Sequence, residues 1–197
     1  MPVPIVYRAA DNVNASYDWL DVTSGVGYRR YFGVASDIAA GAEYFLTPES
    51  VTSYEEGKSA NGTASPAIDL DFDITFNKPA YVKGVAVVNA LFRSVSSASI
   101  TPVVNIYHVT AVGTETLLGT ATMVNRSVTG YYKQTIRISL TEKQFIVGDR
   151  LRLNMQLNIL NGNQGWIYFD SGTSVTDVDG RTVTGTLAFD CPFRIDL

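Results

Sequence analysis

Between Ile68 and Phe76 the chain alternates without a fault. Ile68, Leu70, Phe72, Ile74 and Phe76 are apolar, and Asp69, Asp71, Asp73 and Thr75 between them are polar. A period of two sorts the two sets onto opposite faces of an extended backbone, whereas a helix would scatter them around its circumference. Asn77-Lys78-Pro79 then ends the ladder, because proline brings no N–H. The rhythm returns from Arg150 to Ile159, with Leu151, Leu153, Met155, Leu157 and Ile159 on one side. It returns again at Leu187, Phe189, Cys191, Phe193, Ile195 and Leu197, and more briefly at Ile136, Ile138 and Leu140.

From Val82 to Phe92 both parities are apolar, as expected of a central strand covered on both faces by an N-terminal segment or another chain. Further strands are expected at Val103 to Val109, Thr116 to Val124 and Trp166 to Phe169. Asn61-Gly62, Asn161-Gly162-Asn163, Ser171-Gly172 and Asp179-Gly180 punctuate them as turns. Short strands at this spacing predict an all-β fold, an antiparallel β-sandwich of jelly-roll-like kind. Helix is nearly absent; Asp37 to Ala42 could close one turn. One domain is expected over residues 1–197. Residues 1–50 read as an extended N-terminal arm with one or two strands, at Tyr17 to Leu20 and Tyr28 to Val34. Ser59 to Pro66 reads as a flexible loop, and 67–197 as the main sandwich.

Composition narrows the function classes. At 197 residues the chain can bury roughly 70% of its unfolded surface, so one cysteine, Cys191, is no handicap, and no intrachain disulfide or Cys-based zinc site is possible. A net charge of −4 argues against a general nucleic-acid binder. The Met1-Pro2-Val3-Pro4 start lacks the basic and apolar regions of a secretory signal, and no apolar run approaches the ~20 residues of a membrane helix. The expectation is a protein made in a cytoplasm, with neither nucleic acid nor membrane as partner. Charged residues are 17% of the chain, against about 25% in an ordinary domain. That low density suits strands, and also a surface that meets other protein.

Several residue groups could carry chemistry. Asp69, Asp71 and Asp73 project from one strand face about 6.6–7 Å apart. They read either as part of a calcium site or, more simply, as a face paired with Arg137, Arg150, Arg152 or Lys133. Asp170, Asp177 and Asp179 with Gly180 miss the calcium-loop spacing and read as a turn. Gly57-Lys58-Ser59 lacks the upstream glycine of a phosphate loop, since Thr52 stands there. His108 shares parity with Val104 and Ile106 and reads as a packed histidine; Cys191, on an apolar face, reads as an inert thiol. No acyl-transfer nucleophile–base pair remains, and although Asp and Glu are plentiful nothing singles out a glycosidase carboxylate pair, so no catalytic residue and no cofactor is expected. Tyr28, Arg29, Arg30, Tyr31 and Phe32 interleave cations with rings; they read first as an ordinary strand and, as a site, as a protein assembly contact ahead of nucleic acid. Trp166 and Tyr168 share a face beside Asn161, Asn163 and Gln164, the composition of a glycan platform, with core packing as the alternative.

The run Phe145-Ile146-Val147-Gly148-Asp149-Arg150-Leu151-Arg152-Leu153, followed by Trp166-Ile167-Tyr168-Phe169-Asp170-Ser171, resembles a phrase in structural proteins of tailed bacteriophages. The resemblance covers about a quarter of the chain and implies the back half of a sandwich of the decoration, head-fibre or tail type. It implies a non-enzymatic virion structural protein, a capsid decoration, head or tail component, localised to the virion. Its partners would be other virion proteins and further copies of itself, a homo-oligomer. The rival expectation is a carbohydrate-binding or receptor-binding β-sandwich module.

Overall fold

The computed structural model describes residues 15–16, 26–39, 41–51, 56–63, 65–161, 163–169, 172 and 174–194. Strands fill them in chain order: β1 (Ala15–Ser16), β2 (Val26–Ala39), β3 (Gly41–Thr47), β4 (Gly57–Asn61), β5 (Ile68–Thr75), β6 (Ala80–Ser94) and β7 (Ile100–Val109). After these come β8 (Glu115–Thr122), β9 (Gly130–Phe145), β10 (Arg150–Ile159), β11 (Gln164–Tyr168), β12 (Ser174–Thr176), β13 (Thr182–Thr184) and β14 (Leu187–Arg194). Among the described residues there is no helix.

The two-residue rhythm decides which side chains are buried. On β10, Leu151, Leu153, Met155, Leu157 and Ile159 are all completely buried. On β5, Ile68, Leu70 and Phe72 face the core while Asp69 and Asp71 are exposed. On β14, Leu187, Phe189 and Cys191 do the same.

Twelve strands form one hydrogen-bonded ribbon, β4-β11-β6-β14-β2-β3-β5-β10-β7-β8, with β9 on the other side of β6 and β1 beside β2. The pairings are antiparallel except that of β3 with β5, where Phe45 lies opposite Asp73 in a parallel contact. At that junction the ribbon folds over. One layer contains β9, β6, β11, β4, β14, β2 and β3, and the other β5, β10, β7 and β8. Close approaches show the layers meeting: a Cβ on Gly165 of β11 would lie 2.9–3.0 Å from Leu157, Ile100 and Ile159. Tyr44, Phe72 and Phe169 meet edge to face at 5.4–5.6 Å between them. Such pairs add about 0.5–1.5 kcal/mol each beyond their area burial. The far end of the ribbon returns to its start, since a Cβ on Gly119 of β8 would reach 2.8 Å from both Ile138 Cγ2 and the Ser139 carbonyl of β9.

The structure departs from the sequence reading in four places. Residues 26–47 are not peripheral to a sandwich beginning at 67, for β2 lies between β14 and β3 with Tyr31 completely buried. Ser59 to Pro66 is not wholly a loop, because β4 pairs with β11, Ser59 opposite Trp166. Its short residues carry no alternation, and Gly57 is what admits it, since a Cβ there would meet the Ile167 carbonyl at 2.4 Å. The described residues of Asp37 to Ala42 are strand and not a helical turn: β2 runs to Ala39 and β3 starts at Gly41. On β6 the second face is half-buried at Val85 and Val87 and fully covered only at Leu91. Tyr17 to Leu20 and the last three residues lie outside the described ones.

The β8–β9 closure is testable by overfilling it. Gly119→Val is expected to cost about 1–3 kcal/mol by pushing against β9. For a chain of this length thermal melts would then show Tm lower by about 2–4 °C per kcal/mol.

Candidate functional site

The acidic face of β5 belongs to a cross-strand network. Arg152 of β10 stands opposite Asp73 and donates to it from Nε at 2.7 Å and Nη2 at 2.8 Å. Its Nη1 lies 2.8 Å from Asp71 and 2.6 Å from Glu115. The Asp73 hydrogen bonds, with the nearby acids, raise the Arg152 pKa further against its desolvation. Arg150 adds a bond to Asp73 at 2.9 Å. One row runs across all four strands of this layer: Thr120 donates to Asn105, Asn105 to Asn154, and Asn154 to both Asp71 and Asp69. Every dipole in that row points towards the carboxylates, so each bond polarises the next. Of the cations the sequence offered as partners, Arg150 and Arg152 fill the role. Among the described residues no group of three His, Cys, Asp or Glu side chains is placed to hold a metal ion.

Trp166 and Tyr168 do share a face of β11, as their parity predicts, but their rings stack on one another, 5.6 Å apart and 16° from parallel. Tyr131 leans on Tyr168 from 5.7 Å, and Tyr168 is buried. Burial raises the Tyr168 pKa to about 12. One ring, Trp166, keeps partial exposure, and its buried indole N–H meets no acceptor among the described residues. The amides expected to serve a glycan are engaged elsewhere: Asn161 and Asn163 donate to the carbonyls of Ser97 and Ser96. Those two serines have φ of 57° and 54°, a left-handed turn that the amides hold in place. Asp177 is the turn residue the sequence suggests, accepting from the Asp179 and Arg181 N–H groups.

The Tyr28–Phe32 stretch divides by parity. Tyr31 enters the core, with the Arg29 guanidinium 5.3 Å from its ring, whereas Arg30 and Phe32 face outward. Arg30 makes a two-pronged bond to Asp190, directly opposite on β14, at 2.7 and 2.8 Å.

At the end of the molecule where β7 and β9 finish, His108 and Asp149 form a buried pair, Nε2 to Oδ2 at 2.7 Å. Phe145 meets the imidazole edge-on at 4.7 Å. Asp149 also accepts the backbone N–H of Ile146, in its own turn, and of Ala111, in the β7–β8 turn. The His108 bond, followed by that from Ile146, holds the carboxyl below its usual range. One carboxylate therefore clasps two loops together, and Gly148 completes the turn at φ 91°, a conformation that favours glycine. The pair is half of a catalytic triad in outline only. His108 Nδ1 meets no partner among the described residues, and Cys191 is fully buried with its thiol pKa raised by desolvation. What the clasp presents outward is apolar: Val112 is 90% exposed, Ile146 59% and Val147 60%. Reading the sequence did not single these out, although valines and an isoleucine beside turn glycines, where polar residues are usual, were a visible signal.

No family model matches the sequence, and no curated protein matches it. Solved structures share its fold. A CocE/NonD family hydrolase from Staphylococcus aureus matches 86% of this chain with 37% of its own, at TM-score 0.64 and 11% identity. An aminopeptidase from a marine sediment Thaumarchaeota archaeon matches 83% with 36% of its own, at TM-score 0.58 and 11% identity. An alpha-amino acid ester hydrolase matches 84% with 36% of its own, at TM-score 0.56 and 11% identity. The chain thus spans little more than a third of these proteins. At such identity the likeness is one of fold.

Two measurements probe these sites. Asp149→Asn removes a carboxylate from a buried pair and weakens its hold on two loop N–H groups, an expected loss of about 2–4 kcal/mol. Because the folded-state pKa of Asp149 lies below the unfolded one, its contribution is complete above about pH 4 and is lost as pH falls through the folded value. Urea midpoints taken between about pH 6 and pH 3 should show wild type and variant converging at the acid end. Millimolar calcium is expected to leave Tm unchanged, whereas a real site at a hundredfold its Kd would add about 2.7 kcal/mol.

Proposed function

We propose that this chain is a virion structural component, a non-catalytic β-sandwich that works by seating on other protein. The observation carrying this reading is the clasped apolar end. Scattered exposed valines are ordinary on soluble proteins. Here, however, Val112, Ile146 and Val147 come from two adjoining turns, with a Cβ on Gly148 only 3.3 Å from the Ala111 Cβ. Both turns are fixed by a buried carboxylate, so little order remains to be lost on docking. Covering an aliphatic side chain of this size gains about 1.5–3 kcal/mol. Support also comes from the run that resembles a phrase in phage structural proteins. Its Gly148 and Asp149 are the residues that build this turn, and its Arg150 and Arg152 lock β10 to β5. The outer edge of β4, paired on one side with β11, offers a backbone ladder for strand addition.

Size-exclusion chromatography with light scattering, alone and mixed with purified phage capsid and tail particles, tests the proposal. Wild type should self-associate or join particles. Val112→Asp combined with Val147→Asp should abolish this while circular dichroism and Tm stay those of wild type. A folded wild-type monomer that joins no particle would refute the assembly role.

A further inference from the structure

On the outer face of the larger layer, Phe32, Ala188, Asn89 and Thr135 stand in one hydrogen-bonded row across β2, β14, β6 and β9. Strands are about 4.8 Å apart, so Phe32 and Asn89 rise about 10 Å from each other with only a methyl group between them. That gap is the floor of a shallow, open groove of about 290 Å³, flanked by Arg30, Lys133 and the segment carrying Thr184 and Thr186. The volume lies just below the range of small-molecule sites, about 300–1,000 Å³.

Its polar groups are mostly uncommitted donors. Asn89 Oδ1 accepts from Thr135 at 2.5 Å, which leaves the Asn89 amide hydrogens without an acceptor among the described residues. Arg30 gives Nε and Nη2 to Asp190 and keeps Nη1. Lys133 is exposed and meets no carboxylate among the described residues. The Thr184 and Thr186 hydroxyls meet one another at 3.3 Å, a long bond that a ligand oxygen readily replaces. With Asp190 already neutralised by Arg30, Lys133 leaves the groove positive in a chain of net charge −4. A half-buried ring, two hydroxyls, an amide and a cation on so shallow a surface match sugar chemistry: C–H faces for the ring, hydroxyls for the neutral groups, an anion for the lysine. A peptide carboxylate would use the cation and leave the rest idle.

We infer that this groove binds an acidic saccharide, with Phe32 under a sugar ring, Lys133 on its carboxylate or sulfate, and Asn89, Thr184 and Thr186 on its hydroxyls. The inference does not rest on the assembly role, which uses a different surface.

Isothermal titration of the full chain with sialyllactose, trigalacturonate and a heparin-derived tetrasaccharide tests it, with lactose and tetraglutamate as controls. At least one acidic saccharide should bind, and which one binds separates carboxylate from sulfate. Lys133→Glu should weaken that binding about tenfold or more. Ala188→Leu, which fills the floor, should abolish it. Both positions lie off the core, and unchanged circular dichroism and Tm would exclude misfolding. Binding of lactose equal to that of the acids, binding of tetraglutamate alone, binding unaltered in both variants, or no binding at all would each overturn the assignment.

Discussion

One strand has to satisfy two opposite solvents at once, and the rest of the fold is arranged around it. The inward side chains of β10, Leu151 through Ile159, are completely buried, so their neighbours on the second layer must supply an apolar lid. The outward ones, Arg150 through Asn158, sit in the middle of a layer where Asn154 is itself buried. A buried amide is tolerable only with partners, and it finds them on both flanking strands, Asn105 and the two aspartates. Shifting β10 by one residue would place its leucines on the polar face and its amides in the core, so register is enforced from both sides.

The two outer faces of the sandwich consequently have different characters. The β5-β10-β7-β8 face satisfies itself: carboxylates, guanidinium groups and amides are matched across strands, and Arg152 alone engages three acids. The opposite face is less complete. Arg30 and Asp190 pair there, yet among the described residues Lys133 meets no carboxylate and the Asn89 amide hydrogens meet no acceptor, and Ala188 leaves a gap where a larger side chain would have closed the surface.

The loop end differs again. Asp149 ties two turns together through three hydrogen bonds, and those turns carry the exposed Val112, Ile146 and Val147. The buried histidine that a sequence search for catalysis would seize on serves the same clasp, its ring wedged against Phe145.

Alternation alone determined a good deal: the strand character of Ile68 to Thr75, Arg150 to Ile159 and Leu187 to Arg194, the inward direction of Leu, Ile, Phe and Cys191, and the packed state of His108. Each follows from neighbours along the chain, because pleating ties side-chain direction to residue number. What lay beyond reach was every relation between distant segments. That β2 would sit in mid-sheet, that short-residue β4 would be a strand, that Trp166 would stack on Tyr168, and that Ala188 would floor a groove all depend on which strands become neighbours. Pairing is chosen by the burial of the whole ribbon as it folds over, and no local stretch carries that information.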